Sequence, residues 1–144
     1  MHAIRRRRHM PRFEQPDGTV HLTWRLHTDQ AALLSEERTI VQSVIERAVE
    51  FGALIHAGVV MDDHVHVLFD PGVRRVSMAF ARVWKCESSR LICKASNRRA
   101  PLWQRDSYQR WMRSDAQTAT CAAYIRANPY RRWPDLTSYR WLLP

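Results

Sequence analysis

The feature that most constrains the fold is a pair of strand-like segments in the middle of the chain, joined by two acidic residues. Residues 53–61 are mostly apolar, Asp62 and Asp63 follow, and residues 64–69 alternate in the manner of a strand. Because aspartate tolerates the positive φ that tight turns require, this pattern predicts a β-hairpin with a two-residue turn. Successive side chains of a strand point to opposite faces, so we expect His64 and His66 to lie side by side on one face.

Two neighbouring imidazoles on a strand have two interpretations. They can hold a metal ion, or they can be polar residues on the solvated face of a sheet. The chain has seven histidines, so one H-x-H pattern by chance is not rare. The spacing alone does not choose between the two interpretations.

The segments on either side of the hairpin alternate between strand and helix patterns. Their order predicts strand, helix, strand, strand, helix, strand, helix, and the first six are the elements of a ferredoxin-like βαββαβ fold. We therefore expect an α+β domain, an antiparallel sheet with helices on one face, plus a C-terminal helix that carries Tyr124. The predicted segments outside the hairpin are a strand at 20–27, a helix from an N-cap at Ser35 to Gly52, a helix at 76–96, a strand at 102–112, and a helix from Ser114 or Asp115 to Asn128, stopped by Pro129.

The predicted helix at 76–96 separates apolar from basic side chains. Arg75, Arg82 and Lys85 fall on one side, where they form either a solvated face or a stripe that follows a phosphate backbone. The opposite side, predicted to face the core, consists of Val76, Ala79, Phe80, Val83 and Cys86.

The charge balance indicates a polyanionic partner. The chain has 23 Lys plus Arg against 14 Asp plus Glu, a formal charge of +9. Nucleic acid and an acidic membrane surface both fit that charge, but no run of about 18 apolar residues is present to span a bilayer. The N-terminus lacks the apolar core of a signal peptide, and three cysteines without a C-x-x-C motif fit a reducing compartment. We therefore expect a cytoplasmic protein that binds nucleic acid and has no membrane partner.

The chain is predicted to be one domain with two short extensions. The N-terminal extension is a basic arm, which is either a disordered tail or a segment that reaches phosphates, because the guanidinium fork matches two phosphate oxygens. Its consecutive arginines are Arg5, Arg6, Arg7 and Arg8. The predicted boundaries are 1–18 for the arm, 19–132 for the domain and 133–144 for a short C-terminal tail.

The last predicted helix places a set of polar side chains on one side. Taken alone, the spacing favours a structural role for both residues: Tyr124 as a half-buried aromatic residue, and Asn128 as a helix end before Pro129. The small residues Ala119, Ala122 and Ala123 on the opposite side would let the helix lie close to the sheet, with a tyrosine and an amide near the two histidines. The polar side, within about 100° of arc at 3.6 residues per turn, consists of Gln117, Thr120, Cys121, Tyr124 and Asn128.

Together these residues resemble the HUH single-tyrosine transposases, and within them the REP-associated tyrosine transposases of bacteria. The resemblance is carried by His64-Val65-His66 as the HUH motif and by Tyr124-Ile125-Arg126-Ala127-Asn128-Pro129 as the Y-I-x-x-N-P helix end. Trp103-Gln104-Arg105 adds to it, and so, more weakly, do Trp133-Pro134 and Ser138-Tyr139-Arg140. The likeness covers roughly residues 18–140. The two main motifs together, at this separation, are much more specific than either motif alone.

The resemblance implies cleavage and rejoining of single-stranded DNA, often beside a small hairpin, with a divalent ion and no ATP. His64, His66 and the side-chain oxygen of Asn128 would hold the ion, Mg²⁺ or Mn²⁺, which would polarise the scissile phosphate. Tyr124 would be the nucleophile that forms a 5′-phosphotyrosine and frees a 3′-hydroxyl. Arg75, Arg82, Lys85 and the arginines of the arm would bind the DNA. The resemblance also implies a bacterial, nucleoid-associated protein that acts as a monomer or a homodimer.

Three other tyrosines compete with Tyr124 as the nucleophile. They are Tyr108, Tyr130 and Tyr139, and none of them has an amide one helical turn later on a clear helix. Two departures from the family pattern stand out: Asp62-Asp63 where a proline and an asparagine are common, and residues 130–133 without the usual glycine. A non-catalytic nucleic-acid-binding module stays open as an alternative. A structural metal site is a weaker one, since zinc usually takes four ligands.

Overall fold

The computed structural model describes residues 18–72 and 75–144. The arm residues Arg5, Arg6, Arg7 and Arg8 lie outside these ranges. The elements are β1 (Val20–Leu26), α1 (Ser35–Glu46), a 3₁₀ turn (Arg47–Phe51), β2 (Leu54–Val60), β3 (His64–Asp70), α2 (Ser77–Ser96), β4 (Trp103–Trp111), α3 (Asp115–Arg132) and β5 (Leu142–Leu143). The strands form one antiparallel sheet in the order β4-β1-β3-β2-β5. The predicted α+β fold, with a ferredoxin-like sheet and a C-terminal helix carrying Tyr124, is confirmed.

One face of the sheet packs against α1 and α2 and forms the main core. Trp24 on β1 and Phe69 on β3 are fully buried there. The ring of Trp84 on α2 stacks on Trp24 with 5.9 Å between centroids and lies 5.0 Å from Phe69. Burial of these large aromatic side chains holds the helices to the sheet.

Helix α1 begins and ends differently from the prediction. Leu34 rather than Ser35 is the N-cap residue, and its backbone N–H donates to Glu37 Oε1 at 2.8 Å. The last turn tightens into 3₁₀ geometry, and Val49 in that turn is exposed. Gly52 ends the helix as predicted, with a left-handed φ of 93° that favours glycine.

Helix α2 turns a different side to the core from the one predicted. Ser77 and Ser88 are fully buried. Ser77 Oγ donates to Gln109 Oε1 at 2.6 Å, and Trp103 Nε1 donates to Ser88 Oγ at 2.9 Å. The prediction was wrong because buried serines with hydrogen-bond partners interrupt the apolar pattern on which it relied. The exposed residues that were expected inside are Val76, Val83 and Cys86.

The other face of the sheet is covered by α3 over part of its area. Ala122 and Ile125 of this helix form a second, smaller core with Leu68 of β3 and with apolar side chains of β2. Ala119 and Ala123 are exposed, so the side that faces the sheet was predicted only in part. The larger apolar residue Ile125 decides which side is buried, and the β1 and β4 part of this face stays open.

Helix α3 does not end at Asn128 as predicted but runs through Pro129 to Arg132. Proline lacks an N–H group and usually ends a helix at the residue before it. Here Pro129 is buried, and Arg132 pairs with Asp62 at 2.9 Å and with Asp63 at 3.4 Å. These contacts offset the missing backbone hydrogen bond and tie the end of α3 to the turn between β2 and β3.

That turn has the predicted two residues, but not the predicted backbone conformation. Asn97 is the one described residue other than glycine that has a positive φ, so neither Asp62 nor Asp63 adopts it. The backbone carbonyls of the two aspartates accept hydrogen bonds from the amides of Leu33 and Leu26, both at 2.8 Å. Tertiary hydrogen bonds, rather than a left-handed residue, therefore hold the turn.

Residues 133–144 fold back along β2. Strand β5 pairs with β2 at Gly58, where an added Cβ would lie 2.5 Å from Leu143 Cδ1. Tyr139 donates its hydroxyl to the Val60 carbonyl at 2.6 Å. The domain boundary at residue 132 stays a prediction.

The three cysteines are free thiols: Cys86 is exposed, Cys93 is partly buried and Cys121 is buried. Within residues 18–72 and 75–144, the helices are all too short or too polar to cross a membrane.

Candidate active site

The two histidines lie side by side as predicted, on the sheet face away from the main core. The ring centroids of His64 and His66 are 4.9 Å apart, with 85° between the ring planes. The two residues are 8% and 7% exposed, respectively. Leu68, the next residue of β3 on this face, packs against α3. The pair therefore sits where the cover of α3 ends and the open part of the face begins.

The Nδ1 atom of each imidazole is held by a neighbour. His64 Nδ1 lies 2.7 Å from Asp63 Oδ1. His66 Nδ1 lies 3.0 Å from His21 Nε2 and 2.9 Å from Thr23 Oγ1. Histidines that bind metals usually have their second ring nitrogen fixed in this way, which sets the orientation of the ring. The Nε2 atoms are then the nitrogens that could bind a metal ion.

The surroundings favour neutral imidazoles. Burial lowers the pKa of His66 to about 3, and positive charges nearby, including those of Arg25 and Arg131, add to the effect. Burial, with the charge of Arg110, lowers the pKa of His21 to about 4. An imidazole must be neutral to bind a metal ion, so His66 has the required form at neutral pH.

Tyr124 lies beside the histidine pair. Its ring centroid is 5.9 Å from that of His66, and the two rings meet edge to face. The residue is 49% exposed, so its hydroxyl is accessible to a ligand. Arg131 packs on the Tyr124 ring, with its guanidinium carbon 4.4 Å from the ring centroid, and its Nη2 donates to the Tyr124 carbonyl at 3.2 Å. Asn128 follows one helical turn later and is partly buried.

A chain of charged contacts joins the end of α3 to His64. Arg132 pairs with Asp63, which in turn contacts the His64 imidazole. Burial alone would raise the pKa of Asp63, but the hydrogen bond with His64 and the charge of Arg132 hold it below the ordinary value. The aspartate is therefore ionised and can fix the His64 ring. Helix α3 thus supplies Tyr124 and also supports one of the imidazoles.

The structure separates the competing tyrosines. Tyr139 uses its hydroxyl to bind the Val60 carbonyl, and burial raises its pKa. Tyr130 lies on α3 near its end and is partly buried. Tyr108, on β4, lines a pocket of about 580 Å³ that Tyr124 also lines. Among the tyrosines that the structure describes, Tyr124 is the one whose ring contacts a histidine of the pair.

The basic residues predicted to bind DNA are divided between two grooves. Arg82 and Lys85 line a groove between α2 and the edge strand β4, and Arg75 borders another between α1 and α2. Lys85 Nζ donates to the Arg105 carbonyl and to Ser107 Oγ, both at 3.0 Å, and burial lowers its pKa. The predicted stripe is therefore not continuous, and it lies on the side of the sheet away from the histidines.

The sequence did not single out the residues that surround the pair. These residues are His21, Thr23 and Arg25 on β1, and they carry no motif. The register places Thr23 opposite His66 and Arg25 opposite His64. Their position beside the histidines could have been predicted, because a ferredoxin-like order puts the first strand next to the second strand of the hairpin.

In the two described ranges, no group of three or more His, Cys, Asp or Glu side chains is arranged to hold a metal ion. The donor set predicted from the sequence is not a group of this type, because only two of its members are histidines and the third is the amide oxygen of Asn128.

Comparison with known proteins identifies the family of the chain. The family model described as transposase IS200-like matches residues 15–128, which include both histidines, Tyr124 and Asn128. The chain belongs to the IS200-like transposase family. The family resemblance drawn from the sequence is thereby confirmed, and the protein is of the DNA-processing, transposase class. No curated protein matches the chain significantly.

Solved structures share the fold of this IS200-like transposase. A REP-associated tyrosine transposase bound to a REP hairpin has a TM-score of 0.71 and 19% identity, covering 85% of this chain and 72% of that chain. A protein from Deinococcus radiodurans assigned as a transposase has a TM-score of 0.57 and 24% identity, with 74% and 87% covered. The tRNA(His) guanylyltransferase of Saccharomyces cerevisiae also matches, with a TM-score of 0.60, 9% identity, and 90% and 67% covered. Since the last protein has a different activity, the fold alone does not identify the chemistry.

Proposed function

We propose that this transposase cleaves and rejoins single-stranded DNA, with Tyr124 as the nucleophile. The observation that carries the proposal is the position of Tyr124, whose ring lies 5.9 Å from that of His66 although the two residues belong to different elements. A phenol placed beside a pair of fixed, buried imidazoles is the arrangement that metal-assisted attack on a phosphate requires.

The residues present fit a divalent metal ion. His64 and His66 have their Nδ1 atoms held, and the low pKa of His66 keeps that imidazole neutral. The side-chain oxygen of Asn128, one turn after Tyr124, would complete the donor set. A bound Mg²⁺ or Mn²⁺ would polarise the scissile phosphate and neutralise the charge that develops on its oxygens.

The proposed step exchanges one phosphodiester bond for another. Tyr124 Oη attacks the phosphorus and forms the new O–P bond, while the bond from phosphorus to the 3′ oxygen breaks. The phenolic proton is lost to solvent, and the 3′ oxygen takes up a proton. The products are a 5′-phosphotyrosine and a free 3′-hydroxyl, and attack by such a hydroxyl reverses the step and joins the strands without ATP.

Nearby arginines support the reacting groups. Arg131 packs on the Tyr124 ring and fixes its position. Arg25 lies opposite His64 in the sheet, and its charge acts on His66. Positive charge concentrated at this place would attract a DNA phosphate to the histidine pair.

The DNA that fits this site is a single strand, with or without a neighbouring hairpin. Arg82 and Lys85 would bind the backbone of DNA that passes around the edge strand β4. Arg75 and the arm with Arg5, Arg6, Arg7 and Arg8 would add further phosphate contacts. Tyr124 and both histidines come from one chain, so the proposed site can act in a monomer as well as in a homodimer. Access to chromosomal DNA implies a place in the bacterial cytoplasm, at the nucleoid.

The test is covalent capture of DNA. Labelled single-stranded DNA that flanks a hairpin, incubated with the protein and Mg²⁺ or Mn²⁺, should give an adduct that survives a denaturing gel. Tyr124→Phe should abolish the adduct, and Tyr130→Phe, a matched change on the same helix, should retain it. His66→Ala should reduce adduct formation by about 10²- to 10³-fold.

Two results would overturn the proposal. One is an adduct that persists in Tyr124→Phe. The other is salt-sensitive DNA binding without any adduct while Mn²⁺ is shown to be bound, which would make the protein a non-catalytic nucleic-acid-binding module.

A further inference from the structure

A row of side chains crosses the open part of the sheet face. Tyr108 on β4 is opposite Thr23 on β1, and Thr23 is opposite His66 on β3. Residues directly opposite each other in an antiparallel sheet point to the same face, so Tyr108 shares a face with the histidine pair. Neighbouring strands are about 4.8 Å apart, which puts the backbone of Tyr108 about 10 Å from that of His66.

Tyr108 is exposed, unlike the apolar side chain of Leu68 on the covered part of this face. It is 58% exposed, while Leu68 in the covered part is fully buried. Its ring lines a pocket of about 580 Å³, in which β1 and β4 form the floor and the α3 residues Thr120 and Tyr124 form a wall. The core does not require an aromatic side chain at this position, whereas a ligand in the pocket would find a flat ring.

Arg110 places a positive charge in the same pocket. It follows Tyr108 by two residues on β4 and lies opposite His21. His21 and Cys121 line the same pocket, and the charge of Arg110 acts on both of them. No carboxylate in residues 18–72 and 75–144 forms an ion pair with Arg110. Its charge is therefore available to a phosphate.

We propose that this pocket is a nucleobase subsite, in which an unpaired base next to the scissile phosphate stacks on Tyr108 while Arg110 binds the adjoining phosphate. The inference rests on the proposed function, because Tyr124 and the histidine pair define where the scissile phosphate lies. An exposed aromatic ring beside an arginine is the combination that binds single-stranded DNA with little sequence preference. A base held there would fix the strand at the position where Tyr124 meets it.

The test measures binding without cleavage. Every protein carries Tyr124→Phe, EDTA removes divalent ions, and the probe is a hairpin-flanking single strand with one 2-aminopurine placed at successive positions. Tyr108→Ala should raise the Kd by about 5- to 100-fold, since stacking on one aromatic ring contributes that much per base. It should also abolish the quenching of 2-aminopurine at one position. Tyr108→Phe, which keeps the ring, should change the Kd by less than about twofold on the same scale.

A matched control is Leu54→Ala, because Leu54 is an exposed apolar side chain of β2, 56% accessible, that lines neither this pocket nor the grooves of Arg75, Arg82 and Lys85. It should leave both the Kd and the quenching unchanged. If Tyr108→Ala binds like its parent while the wild-type protein forms the covalent adduct, the subsite is overturned and the proposed function stands. If Tyr108→Ala weakens binding but the wild-type protein never forms an adduct, the subsite stands and the proposed chemistry fails. If the parent does not bind the probe, the subsite is overturned, and covalent capture with Mg²⁺ or Mn²⁺ decides the proposed function separately.

Discussion

The two faces of the sheet use the same strands for different purposes. On β3, Val65, Val67 and Phe69 are buried against α1 and α2. His64 and His66 alternate with them on the other face, where α3 covers only part of the surface. The closed face is apolar and stabilises the fold, whereas the half-open face uses burial to keep the His66 imidazole neutral beside a solvent-accessible pocket. A single alternating strand can thus give a reactive site the rigidity of a packed core.

Truncation on the closed face should have the largest effect. Trp24 is fully buried, with ring centroids 5.9 Å from Trp84 and 6.0 Å from Trp103. Trp24→Ala is expected to lower the free energy of unfolding by about 3–5 kcal/mol, because it removes a large buried side chain and leaves a cavity. Tyr108→Ala on the open face should change it by less than about 0.5 kcal/mol. Urea denaturation measures both changes in the free energy of unfolding. Similar losses in the two variants would show that the two faces do not differ in their contribution to stability.

A smaller effect is expected from the support of His64. Asp63→Asn removes the carboxylate charge 2.7 Å from His64 Nδ1, so Mn²⁺ affinity measured by calorimetry should fall by about 10- to 100-fold. The matched control is Asp70→Asn, because Asp70 pairs with His56 at 3.0 Å at the other end of β3. Asp70→Asn should leave the Mn²⁺ affinity as it is. Equal weakening in the two variants would contradict a metal site at His64.

The smallest of the three effects concerns acid stability on the closed face. Glu37 is 1% exposed and pairs with Arg98 at 2.7 Å, joining the start of α1 to the end of α2. Burial alone would raise the pKa of Glu37, but hydrogen bonds from Arg98, Leu34 and Ser96 hold it below its ordinary value of 4.5. A lowered carboxyl pKa stabilises the folded state above the ordinary pKa, and this contribution is lost as the pH falls through the lowered value.

Glu37→Gln should therefore lower the free energy of unfolding at pH 7 by about 1.5 kcal/mol. The difference from the wild type should shrink as the pH falls below about 4.5, because the wild-type carboxyl then becomes protonated. Glu87→Gln, which changes an exposed pair with Arg90, should have a much smaller effect. A difference that stays constant from pH 7 to pH 3 would exclude an ionised Glu37 as the cause.

The sequence predicted the closed face and the strand order better than the helix ends and helix faces. Alternation on β3 reports its two faces directly, because the pattern is local. The side of α2 that faces the core could not be predicted in the same way. Ser77 and Ser88 are buried because they hydrogen-bond side chains of β4, a strand that is distant in the sequence. The continuation of α3 through Pro129 likewise depends on Arg132 reaching the turn at Asp62, a contact between residues far apart in the chain.

For the candidate site, the motif residues were predicted and their surroundings were not. His64, His66 and Tyr124 lie together as the family resemblance implied, whereas the part of Asn128 in the donor set stays a prediction. His21 and Thr23 carry no motif, and they contact His66 only through the pairing of β1 with β3. The positions of Arg75, Arg82 and Lys85 relative to the histidines depended on the fold and could not be read from helical spacing.

The most direct test of the account is to find which residue carries the DNA. After reaction with single-stranded DNA and Mn²⁺, nuclease and protease digestion followed by tandem mass spectrometry locates the residual nucleotide on a peptide. The account predicts a phosphodiester on Tyr124 oxygen, at the 5′ end of the cleaved strand, and no modified Tyr108, Tyr130 or Tyr139. A nucleotide found on one of those three tyrosines, with Tyr124 unmodified, would contradict the central claim that the histidine pair and Tyr124 form one active site.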